Sequence, residues 1–151
     1  MAEILAAVRA FDGVLELAPT AGSAYPEIAW GDHFFYNAPD GRVPRGQPYA
    51  TIVTKDYPDD TASDLDPPGR WRLNIHVVKG TVEVDHDADP TTADTVLPHP
   101  LYARQGWIAI VNPGERTTSL ALELLRQAHY RSQRAIDSGS SDGTSGVTRP
   151  P

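Results

Sequence analysis

The chain of 151 residues has no cysteine, so disulfides and thiolate chemistry are excluded, which fits a reducing compartment. Lysine occurs twice, at Lys55 and Lys79, and the formal net charge is −7. A nucleic-acid binder needs a basic surface to displace counterions from phosphates, so nucleic acid is disfavoured as a partner. No apolar run approaches the ~18 residues needed to span a bilayer, and no membrane association is expected. The first ten residues lack a basic leader and are interrupted by Arg9, so they do not read as a signal peptide. The expectation is a cytoplasmic, soluble protein.

Sequence motifs that carry chemistry are also missing. There is no HExxH, no GxSxG elbow and no phosphate-binding glycine loop, so no catalytic residue, metal or cofactor is assigned. Asp85-His-Asp-Ala-Asp89 has the carboxylate spacing that begins a calcium loop. However, Pro90 stands where that loop needs glycine and Val96 where it needs a bidentate glutamate. A solvated acidic loop is the plainer account.

What is present is alternation. In Trp71-Arg-Leu-Asn-Ile-His-Val77 the residues Trp71, Leu73, Ile75 and Val77 face one way, and Arg72, Asn74 and His76 the other. That is the pattern of a half-buried antiparallel strand. Tyr49 to Lys55 reads as its neighbour, joined by an acidic connection from Asp56 to Arg70 that is too long for a hairpin turn. Further strands are expected at 14–17, at 27–32 and 33–37 (two strands, or one strand bent at Gly31) and at 106–112, with 82–84 extending the sheet.

Residues 3–12 carry one apolar stripe and read as a helix. A second helix is expected over 117–136, with Thr117 as N-cap and Leu120, Ala121, Leu124, Leu125 and Ala128 as its buried stripe. One helical turn is expected within 100–105. The order predicts a single α+β domain over 1–136, an antiparallel sheet with an N-terminal and a C-terminal helix on one face. Residues 137–151 are a Ser/Gly/Pro tail expected to be disordered.

Several stretches also carry a likeness: Pro26-Glu-Ile-Ala-Trp-Gly-Asp32, Ala50-Thr-Ile-Val-Thr-Lys-Asp-Tyr-Pro58, Thr61-Ala-Ser63, Arg72-Leu-Asn-Ile75 and Leu97-Pro-His-Pro-Leu-Tyr-Ala-Arg-Gln-Gly-Trp107. Over roughly residues 3–135 the chain resembles a bacterial family of single-domain proteins of unknown function. Its element order is similar to the broader MmcQ/YjbR-like group, which implies a small α+β fold with a late aromatic-bearing strand before the last helix. The resemblance implies no catalytic residue. The chain departs from it between Val78 and Leu97, where a longer insertion is expected.

The candidate site is the polar side of the central strands. Arg72, Asn74 and His76 project from one face, and Lys55, Asp56 and Tyr57 end the neighbouring run. His99 is held between Pro98 and Pro100. A cation, an amide, an imidazole and a carboxylate so gathered suit a small polar ligand. The plainer account is a solvated sheet face with ordinary cross-strand pairs.

Three functions follow. The first is a non-catalytic binding module for a small polar ligand or a protein partner. The second is an enzyme on a small polar metabolite using His76 or His99 with Lys55 and Asp56. The third is an acidic surface that docks a basic protein or mimics nucleic acid, since residues 56–94 hold ten acids against three bases.

Overall fold

The computed structural model describes residues 1–137, with side chains described as far as Ser132. The chain runs from helix α1, Ala2–Arg9, through β1, Val14–Leu17, β2, His33–Asn37, and β3, Ala50–Val53. It continues through β4, Arg72–His76, the two-residue β5, Leu97–Pro98, and β6, Trp107–Val111, to helix α2, Thr118–Asp137. The strands form one antiparallel sheet in the order β1-β2-β3-β4-β6-β5. This is the expected α+β arrangement. Asp137, expected to begin the tail, closes α2, and residues 138–151 lie outside the described residues.

Period-2 alternation divides the sheet into two unlike faces. On one face Phe35, Ile52, Leu73, Ile75, Ile108 and Ile110 pack against Ile4 and Val8 of α1 and Ala121, Leu124, Leu125 and Ala128 of α2. Both helices cover this face, and Leu73, Ile75, Ile110 and Leu125 are fully buried there. Burial of such a side chain contributes about 1.5–3 kcal/mol. Leu120, expected in the buried stripe, is 39% exposed. The stripe at 121, 124, 125 and 128 is already complete at helical spacing, and Leu120 falls at its edge.

Two other expectations are corrected, and a third is met in a tighter form. Residues 27–32 form a 3-10 turn, Glu27–Ala29, and not a strand. Pro26 sets the entry, and its carbonyl accepts a hydrogen bond from Ala29 N–H. Among the described residues, 82–84 join no ladder, and the segment bonds across where Asp85 N–H donates to Val96 O. The helical turn near 100–105 is a 3-10 turn, Ala103–Gln105.

The start of α2 is held from a distance. Asp94 accepts hydrogen bonds from the backbone N–H groups of Gly114, Arg116 and Thr117 and from the Thr117 hydroxyl. These donors lie in the turn that leads into α2, in the four residues before Thr118, so the carboxylate fixes the entry to the helix. Thr117, the expected cap, therefore donates its hydroxyl to a carboxylate of another loop.

Candidate functional site

The polar face of the central sheet is closed. Arg72 lies between Val53 and Val111, and Asn74 between Thr51 and Ala109. Their exposures are 1% and 0%, so the expectation of a solvent-lined face is overturned. The long connection after β3 folds back under the sheet and supplies Asp60 and Ser63, both buried. The Arg72 guanidinium grips the Asp60 carboxylate with two bonds, 2.6 and 3.1 Å, and donates to Ser63 Oγ and Asn74 Oδ1. Asn74 donates onward to Thr51 Oγ1. Burial raises the Asp60 carboxyl, but the Arg72 hydrogen bonds and charge outweigh it and leave the group below its usual range.

His99 completes this layer with 2% exposure. Its Nδ1 accepts the N–H groups of Leu101 and Tyr102 at 3.1 Å. Its Nε2 lies 3.3 Å from Arg72 Nη2, so donors face both ring nitrogens and oppose a second proton on the ring. Burial first, then the Arg72 charge, lowers the His99 pKa to about 3. The imidazole is neutral, and acid–base work near neutrality is outside its range.

Lys55 and Tyr57 converge elsewhere, on a carboxylate at the start of β2. Asp32 is fully buried. It accepts from Lys55 Nζ at 2.9 Å, Tyr57 OH at 2.5 Å, Thr54 Oγ1 at 2.6 Å and Thr54 N–H at 2.9 Å. Lys55 also donates to Trp30 O. Asp56 turns the other way: its carboxylate accepts Leu65 N–H, while its own N–H donates to Asp66. The structure thus brings Arg72, Asn74 and His99 together and places Lys55 with Tyr57. Asp56 and His76 stand apart from both groups.

His76 sits at the open end of β4, half-buried beside Trp107, with ring centroids 5.4 Å apart. Its Nε2–H donates to Gln105 O at 2.8 Å, and Arg131 approaches Nδ1 at 3.2 Å. Burial is the main cause of its lowered pKa, the Gln105 carbonyl opposes the shift and Arg131 adds to it.

Behind this pair lies a cleft of about 260 Å³ that the sequence did not reveal. Val77, Val82, Val84, Pro98, Trp107 and Ile108 line it, with Lys79 and His86 among its residues. Val82, Val84 and His86 line it, whereas Glu83 and Asp85 line an adjoining depression, shared at Val84, beside Arg116 and Leu120. The period-2 pattern of residues 82–86 was the available signal. Gly106 forms part of the wall at φ +92°, where a Cβ would stand 2.9 Å from Val77 O and 3.1 Å from His76 Nε2.

Among the described residues no three His, Asp or Glu side chains gather to hold a metal ion, and no helix is long and apolar enough to cross a membrane. No curated protein and no solved structure matches the chain. One family model does, over residues 1–140, so the chain belongs to a family of unknown function, DUF6194.

Proposed function

We propose that the chain is a non-catalytic binding module whose ligand occupies the cleft between the 78–86 segment and β6. The observation that supports this reading is the character of the cleft: an apolar wall of valines, Pro98 and Trp107, with cationic and imidazole side chains at its edge. Small-molecule sites combine these features, a mostly apolar concavity and a few placed polar groups. In this reading Arg72, Asn74 and His99 are the rigid floor beneath β5 and β6, and Lys55, Asp56 and Tyr57 fix the long loop. His76 backs the cleft through Gly106 and Trp107.

The enzyme reading has less support, because His99 is neutral and both nitrogens of His76 are engaged. The acidic docking surface also weakens. Asp56, Asp60, Asp66, Asp85, Asp89 and Asp94 all accept hydrogen bonds from the chain itself. The likeness to the MmcQ/YjbR-like group enters only as an element order.

A metabolite screen by thermal shift tests the reading. A ligand at ~100 times its dissociation constant adds about 2.7 kcal/mol to stability. The expected result is a hit that disappears in Ala103→Trp, a variant that fills the cleft from an exposed position. Hits that persist at full strength in that variant would move the site elsewhere.

A further inference from the structure

We infer that the cleft selects a small organic anion, a monocarboxylate carrying one flat or branched apolar group, with Lys79 as the residue that reads its charge. The inference rests on the binding reading above and adds the chemical class.

Three observations carry it. The first is how Lys79 is held. Val78-Lys79-Gly80-Thr81 is a tight turn in which Thr81 N–H donates to Val78 O at 3.2 Å and Thr81 Oγ1 to the same oxygen at 2.6 Å. Gly80 has φ +82°, the conformation the third position of a type II turn demands. Lys79 is therefore presented from a fixed corner beside Val77 of the wall.

The second is charge. In a chain of net charge −7, Lys79 is one of two lysines. The other, Lys55, is bonded to Asp32, whereas Lys79 forms no ion pair among the described residues. The nearby acids Glu83 and Asp85 line the adjoining depression and leave the cleft without a carboxylate in its lining. An acidic ligand thus meets an uncommitted ammonium and, at His86, a ring nitrogen able to donate a hydrogen bond.

The third is size. A dry cavity of ~150 Å³ lined by aliphatic and aromatic side chains holds benzene. The cleft, at about 260 Å³, therefore has room for one ring or branched chain and a carboxylate. Trp107 offers an aromatic wall for the flat group.

Benzoate, benzamide and benzylamine present one ring with a negative, neutral and positive head. They are titrated into the full chain while the Trp107 indole N–H resonance is followed by NMR. Benzoate is expected to bind about threefold to tenfold more tightly than benzamide, the span of a partly exposed charged contact, and benzylamine most weakly. Lys79→Met is expected to remove the preference and Lys79→Arg to retain it. Equal binding of benzoate and benzamide, or a preference that survives Lys79→Met, overturns the inference and leaves the cleft as a site for neutral ligands. Failure of all three probes also overturns it, and screen hits sensitive to Ala103→Trp then decide the cleft separately.

Discussion

His129 of α2 and Asp12, just beyond α1, are 117 residues apart in sequence and joined by a 2.6 Å hydrogen bond from the imidazole Nε2–H to the Asp12 carbonyl. The Tyr49 hydroxyl donates to the other ring nitrogen at 3.0 Å, and Asn37 donates to the His129 carbonyl. Phe11, Tyr49 and Tyr130 surround the ring at centroid distances of 5.0–5.3 Å. One fully buried residue thus ties the chain just beyond α1, the approach to β3 and, through its carbonyl, β2 to the last helix. His129→Phe keeps an aromatic ring, a somewhat larger one, but leaves a hydroxyl and a carbonyl unpaired. It is expected to lose about 2–4 kcal/mol in urea denaturation, and a loss below 1 kcal/mol would deny His129 this linking role.

The histidines also set a pH dependence. The folded pKa values of His76, His99 and His129 all lie below the ordinary 6.5, chiefly through burial. As pH falls below 6.5 the unfolded chain takes up protons that the folded chain refuses, so stability decreases with acid. The slope is about 1.4 kcal/mol per pH unit for each full proton. For His99 the window extends from 6.5 down to about 3. Asp60, also held below its usual range, adds to the loss at its acid end. Urea midpoints measured between pH 7.5 and 4.5 should fall steadily, and a flat profile would contradict the neutral buried imidazoles.

Arg72 and Asp60 form a buried pair, and removal of one partner strands the other. Asp60→Asn or Arg72→Met is expected to cost about 3–5 kcal/mol. Combining the two should cost clearly less than their sum, because neither charge is then left alone. A double-mutant cycle in guanidinium chloride reads the coupling, and strict additivity would mean that the pair is not formed in solution.

Asp94→Ala removes the acceptor for four donors at the start of α2. Loss of a helix cap costs about 0.5–2 kcal/mol. Asp94 has φ +53°, a conformation asparagine tolerates and alanine resists. Asp94→Asn should therefore lie between wild type and alanine in melting temperature. An asparagine variant less stable than alanine would argue against the cap.

Much of the scaffold was legible because it is written in local periodicity. The alternation from Trp71 to Val77 placed Leu73 and Ile75 in the core and Arg72, Asn74 and His76 on the opposite face. Alternation does not say what covers a face. Asp60 stood only as one acid of the long Asp56–Arg70 connection, because its partner Arg72 meets it only after that connection folds under the sheet. Asp32 and Asp94 were hidden for the same reason: each satisfies donors about twenty residues away, a pairing without a local signature. The cleft escaped notice because Val82 and Val84 have the spacing of a strand. Among the described residues their segment lacks a ladder partner, and it lends its apolar side to a concavity instead.

The brevity of β5 has a consequence for how another polypeptide would meet this protein. The sheet ends there in two residues, and one of them, Pro98, has no N–H to offer. A foreign strand extends the sheet poorly across such a margin. The border that runs past the cleft is blunted against strand addition, which favours recognition of a partner on that side by its side chains.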